Sequence, residues 1–223
     1  MHKLFIFGAS SFAQIASEYF HRSGEYEVLG HLVDPGYKNE DFELKYPVYE
    51  TGTAESELLL KSASHFFVAV TYLNVNRYRT KKYLEYKNQG KIPASYISER
   101  AYIDPETKIG EHCFIFENNV IQLGVTLGNN CVLWSGNHIG HHSKLGDNLF
   151  ISSHVVISGH TTIGDNSFFG VNSTIYNNLE IGSDNWIGPN SVISKSTNDN
   201  VMMRGALTPP SNLGTKEFFK LND

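Results

Sequence analysis

No apolar run in this chain approaches the ~18 residues of a membrane-spanning helix. The first eight residues, Met1 to Gly8, hold too short an apolar stretch for a secretory signal. Those absences predict a cytoplasmic protein with no membrane partner. Basic excess is missing too: the net charge is −5, which gives no reason to expect nucleic-acid binding. Cysteine is scarce. Only Cys113 and Cys131 occur, and a cytoplasmic setting predicts free thiols, buried as small core residues rather than carrying an acyl group. A GxGxxG fingerprint is also absent, so dinucleotide binding draws little support. With 40% apolar and 18% charged residues, what is present is a soluble globular chain with ample core, long enough for one large domain or two small ones.

Its strongest signal is a repeat. From Ile103 to Ile193 every sixth residue is Ile, Leu or Phe, sixteen times without an insertion. Neither a helix nor an ordinary strand has that period. A solenoid does, because each short unit buries its apolar residue only by stacking on its neighbours. Four places after the periodic residue stands a small or short side chain in most repeats, such as Cys113, Ser143 or Thr161, suited to the inside of a narrow prism. Three places after it, fourteen of sixteen occupants are Asn, Gly, His or Asp, the types that tolerate positive φ at least cost. This slot predicts a left-handed corner between flat strands.

The register sorts the histidines. His112, His142, His154 and His160 occupy corner slots, where turn formation is a sufficient reason for them. His141 falls one place earlier, where no other hexad has His, and His138 precedes Ile139 on an outward-facing position. These two need another explanation.

Residues 1–97 read differently. Strands at Lys3–Phe7, Glu27–Val33 and Phe66–Val70 alternate with helices near Phe12–Phe20, Thr53–Lys61 and Asn74–Asn88. The alternation predicts a small parallel α/β sheet. Ligands bind such sheets beyond the carboxyl ends of the strands, where Gly8, Ser10 and Asp34 fall, although a structural turn accounts for Gly8–Ser11 equally well. The expected division is a Rossmann-like α/β domain over 1–97, a parallel β-helix over 98–200 and a capping tail over 201–223.

The hexads resemble those of the hexapeptide-repeat acyltransferases, whose left-handed parallel β-helix spends three hexads, eighteen residues, on each triangular coil. The handedness comes from that resemblance, since parallel crossovers are otherwise right-handed. An α/β domain joined directly to an uninterrupted hexapeptide helix is similar to the bacterial sugar acyltransferases that modify nucleotide-activated sugars or sialic acid. The resemblance implies a homotrimer of parallel prisms with CoA in the groove between neighbours, acetyl-CoA as co-substrate, no metal, and a nucleotide-activated amino sugar destined for a surface polysaccharide such as lipopolysaccharide. It makes residues 1–97 a nucleotide-sugar-binding domain, with substrate contacts from Gly8, Ser10, Asn76, Arg77 and Asp34, the last as a base or ribose contact.

In Ile139-Gly140-His141-His142-Ser143-Lys144-Leu145-Gly146-Asp147 the resemblance makes His141 the general base. His142 stands where much of the family has a carboxylate that orients the imidazole. Gly159, one coil on, offers its N–H to the thioester carbonyl, and His160, Asn177, Lys195, Arg204 and the Gly205-Ala206 pair carry cofactor contacts. Pro189 removes an N–H that many relatives have. The chemistry suits such a site. An amine or hydroxyl attacks the thioester directly, a neutral imidazole taking the proton contributes roughly 10²–10⁴ in rate, and an N–H at the carbonyl oxygen adds roughly 3 kcal/mol. N-acetylation of a nucleotide-linked amino sugar is the leading reading. Its alternatives are a sugar O-acetyltransferase, a zinc enzyme of the γ-carbonic-anhydrase type using His138, His142 and His160, and a non-catalytic trimeric binding module.

Overall fold

A computed structural model, which describes residues 1–38, 44–205 and 207–221, shows two units packed on each other. The first is a parallel sheet of β1 (His2–Phe7), β2 (Tyr26–Val33), β3 (Val48–Glu50), β4 (His65–Val68) and β5 (Ile92–Pro93), ordered β3-β2-β1-β4-β5. Helices α1 (Ser11–Arg22), α2 (Ala54–Ser62) and α3 (Arg77–Asn88) connect them. The apolar spacing in α1 does what it predicts, burying Phe12, Ala16 and Phe20. Thr53 starts α2 by accepting the Ser56 N–H on its side chain. The short β3 and β5 were not expected, because two or three residues show no readable alternation.

The second unit is a left-handed parallel β-helix. Its two-residue strands from Tyr102–Ile103 to Val192–Ile193 each end on a periodic residue. Pairing steps by one coil, as in His138 with Val156 and Ile139 with Ile157. Ile97, in the strand Tyr96–Ile97, extends the register one hexad earlier. The periodic side chains form one continuous core that also takes in Cys113 and Cys131, both free thiols. All fourteen Asn, Gly, His and Asp corner residues adopt positive φ, from His112 to Asn190; Glu106 and Ser196, the other two occupants, do not.

The three flat sides differ in the residue that precedes each periodic one. On one side it is Phe114, Val132, Phe150, Phe168 and Trp186; the first unit packs Phe12, Phe20 and Phe67 against Phe114 and Tyr72 against Phe150, Phe168 and Trp186. On a second it is Lys108, Thr126, Lys144, Thr162 and Glu180, a polar face. On the third it is Tyr102, Val120, His138, Val156, Thr174 and Val192. This third face is apolar in character yet bare, with Val192 63% and Tyr102 58% exposed.

Polar contacts lock the covered side. Arg79 of α3 is fully buried and donates to the carbonyl oxygens of Thr71, Asn130, Asn148 and Leu149 and to the side-chain oxygens of Asn76 and Asn130. Burial pulls its pKa down to about 10, so it stays charged at neutral pH. His112 accepts the Val68 N–H at Nε2 (2.9 Å) and meets Asn130 Oδ1 through Nδ1 (2.9 Å). The neutral tautomer with hydrogen on Nδ1 satisfies both bonds. Burial, helped by the Arg79 charge and opposed by the Asn130 bond, pushes the His112 pKa to about 3.

Candidate active site

Two regions carry the residues that the sequence singles out. The first is the carboxyl edge of the small sheet. Gly8 follows β1 with φ +125°, and a Cβ there would lie 2.7 Å from the Ala69 carbonyl oxygen, so only glycine lets the ends of β1 and β4 close together. Ser10 is exposed at the N-cap of α1, and its side chain makes no capping bond, which leaves the hydroxyl and the helix N-terminus facing outward. Asp34, after β2, accepts from Lys82 Nζ (2.7 Å) and from the Tyr78 hydroxyl. Burial works against its charge, but these two hydrogen bonds outweigh it and hold the carboxyl below its usual range. Of the two roles expected of Asp34, the proton-accepting one is therefore disfavoured, while that of a fixed acceptor remains.

Asn76 departs from expectation. It is fully buried; its amide nitrogen donates to the Ser167 carbonyl (3.1 Å) and its amide oxygen accepts from Arg79 (3.1 Å). The side chain ties the units together instead of facing a substrate. Asn74, Val75 and Asn76 all have positive φ, a costly state for a β-branched residue. Arg77, next in line, is half-exposed and paired with Asp184.

The second region is the corner where the bare face meets the polar face. His141, Gly159, Asn177 and Lys195 follow one another at intervals of eighteen, so they stack along this edge, one per coil. The column beside them is Gly124, His142, His160 and Asn178. His141 is exposed, and its ring stands over Gly159: a Cβ on Gly159 would lie 2.8 Å from both Cε1 and Nε2 of the imidazole. Among the described residues nothing accepts the Gly159 N–H. His141 Nδ1 lies 3.1 Å from His142 Nδ1, so His142 answers what orients His141 without a carboxylate. If His141 donates there, its Nε2 keeps a lone pair and His142 carries its hydrogen on Nε2.

Gln122 was not anticipated. Its Oε1 accepts the His141 N–H (3.0 Å) and steadies the backbone under the ring. The register held the signal, because Gln122 fills the slot that Gly140 fills one coil later. Arg204 lies elsewhere, following the strand Met202–Met203 on the corner across the bare face, so it does not join the Lys195 column. Ala206 lies outside the described residues. The zinc alternative, whose ligands come from two subunits, names His138, His142 and His160, and these do not converge within one chain. His138 sits half-buried on the bare face, and the imidazoles that converge are His141, His142 and His160.

Known proteins match both units. Residues 3–83 match the model of the PglD N-terminal domain. Residues 124–159 and 160–195 match the bacterial transferase hexapeptide model (six repeats), and residues 106–141 the hexapeptide repeat of succinyl-transferase. No curated protein matches. Among solved structures, a mutant of perosamine N-acetyltransferase from Caulobacter crescentus, in complex with CoA and GDP-perosamine, has a TM-score of 0.80 at 21% identity, covering 91% of this chain and 93% of that one. The acetyltransferase domain of PglB from Neisseria gonorrhoeae has a TM-score of 0.77 at 22% identity, over 91% and 96%. WeeI from Acinetobacter baumannii has a TM-score of 0.77 at 18% identity, over the same shares. These likenesses are of fold. The first unit matches the PglD N-terminal domain and the second the transferase hexapeptide repeats, through His141 and Gly159, a combination that fits a hexapeptide-repeat sugar acyltransferase.

Proposed function

We propose that the protein transfers an acetyl group from acetyl-CoA to the amine of a nucleotide-linked amino sugar, in the cytoplasm, as a step towards a surface polysaccharide. The observation that carries this reading is the His141 imidazole standing over Gly159 on an exposed edge. Nε2 takes the proton of the attacking amine as the nitrogen bonds to the thioester carbon; the carbonyl then re-forms as the C–S bond breaks, and the imidazolium returns the proton to the sulfur of the departing CoA. The unclaimed Gly159 N–H lies beside the same ring and suits the carbonyl oxygen as charge builds on it. The donor's phosphates fit the turn of Gly8 and Ser10 at the start of α1, and Asp34 offers a fixed acceptor. CoA runs along the column of Gly159, Asn177 and Lys195, past His160, with Arg204 facing it from the far side of the bare face. The neighbours crystallised with CoA and GDP-perosamine support this class of ligands.

The site needs a second copy. The small domain covers one side of the prism, and His141 stands on the opposite corner, so the sugar bound by one chain reaches the base of another. The bare apolar face beside His141 is the surface for that contact, which fits a homotrimer of parallel prisms. The test is a panel of UDP-, dTDP- and GDP-linked 3-amino and 4-amino deoxysugars with acetyl-CoA, followed by free thiol release. Turnover is expected with an amino sugar. Equal turnover of the matching hydroxyl sugar would reassign the protein as an O-acetyltransferase, and no turnover across the panel would overturn the reading.

A further inference from the structure

Beyond acyl transfer, the His141 corner has the makings of a metal site. His142 and His160 occupy the same slot in successive coils, and their rings stack face to face with centroids 5.1 Å apart and planes 7° from parallel. The His141 ring closes the group, 5.3 Å from His142 and 5.0 Å from His160, edge-on to both. One nitrogen from each ring lies within 4.8 Å of the others, and all three residues are exposed. No other group of three or more potential ligands of this kind occurs among the described residues.

The donor set is chemically selective. Three imidazoles with no carboxylate suit a borderline ion such as Zn²⁺ and not Mg²⁺ or Ca²⁺, which prefer oxygen. Zinc held at 2.0–2.1 Å in tetrahedral geometry needs nitrogens about 3.4 Å apart. Exposed rings on a rigid coil can close the remaining distance by side-chain rotation alone, since the left-handed corners fix the backbone beneath them. A fourth position stays open to solvent.

We propose that His141, His142 and His160 form a three-histidine site for a Zn²⁺-class cation, and that its occupancy silences acyl transfer. A neutral imidazole that coordinates through one nitrogen keeps its hydrogen on the other. Whichever nitrogen of His141 binds, no lone pair is left to accept the amine proton. Silencing rests on His141 being the base; binding does not.

The test uses the full-length protein in a non-chelating buffer. Equilibrium dialysis against ZnSO₄ is expected to give one ion per chain, with no uptake of Mg²⁺. His142→Asn and His160→Asn keep the left-handed corner, since Asn holds that slot at Asn118, Asn130 and Asn148. Each is expected to weaken zinc binding at least about tenfold, with thermal melting confirming the fold. In wild type, zinc is expected to stop thiol release and EDTA to restore it. Absence of stoichiometric binding, or binding unchanged in both variants, overturns the site. Zinc bound at the trio without loss of transfer overturns the silencing. If His141→Asn transfers at the wild-type rate in metal-free buffer, the base assignment fails and the silencing with it, while the dialysis still decides the site.

Discussion

His112 and His142 occupy the same slot of the same repeat, with the same left-handed backbone (φ +58° in both), and have opposite fates. At the His112 corner the small domain closes over the coil. Asn130 Nδ2 donates to Asn148 Oδ1 (2.8 Å), Asn148 Nδ2 donates to Asn166 Oδ1 (3.1 Å), and Arg79 caps the carbonyls between them. At the His142 corner nothing covers the coil, and one nitrogen–nitrogen contact to His141 is its ring's only hydrogen bond among the described residues. The backbone demand is identical; the environment decides. Where water is excluded every polar atom must find a partner, and histidine becomes a structural bridge. Where water has access, lone pairs remain available for a proton or a metal.

The sharpest way to break the covered corner is Arg79→Ala. Truncation leaves several buried carbonyls without a donor, and we expect a loss of about 3–5 kcal/mol in stability, measured by denaturant melting. A loss below 1 kcal/mol would mean that the two units do not depend on this contact. The opposite corner behaves the other way. His141→Asn is expected to lower kcat/KM for acetyl transfer at least about a hundredfold, roughly 2.7 kcal/mol on the barrier, while stability moves by no more than about 0.5 kcal/mol. Should the rate hold, His141 is not the base. Gly159→Ala should be milder. Its Cβ would push against the His141 ring, and a displaced base is expected to cost about tenfold in kcat, with His141 still needed for what remains.

The contrast between the corners also marks what could be read without coordinates. Strict counting by six located the left-handed corners of the hexads, the Cys113 and Cys131 core positions and Gly159 one coil from His141, because a solenoid turns sequence spacing directly into direction. What covers each corner lay beyond counting. Arg79 and Asn76 sit at positions that a helix start with Arg77 and Lys81 nearby would leave in solvent, yet both are buried under contacts fifty to ninety residues away in sequence. The corner slot explained His112 as a turn former, and the slot holds, but its hydrogen bond to β4 depends on how the units dock. Gln122 is marked by the register alone, since glycine is the commonest occupant of its slot.

The smallest effect is a pH dependence set at the covered corner. His112 is held neutral in the folded state, its pKa pushed from 6.5 to about 3 by burial, whereas in the unfolded chain it titrates near 6.5. Below pH 6.5 the unfolded state therefore binds the extra proton, and stability falls as pH falls, over the whole window down to about pH 3. His31, buried beneath the Gly8 carbonyl with a pKa near 4, acts in the same direction. Between pH 7.5 and 5.5 each should remove about 1 kcal/mol of stability. His112→Asn is expected to be less stable at pH 7.5, having lost the Val68 bond, but to show a pH slope shallower by about that amount. If His112→Asn leaves the slope as steep as in wild type, burial is not what holds this bridging histidine neutral.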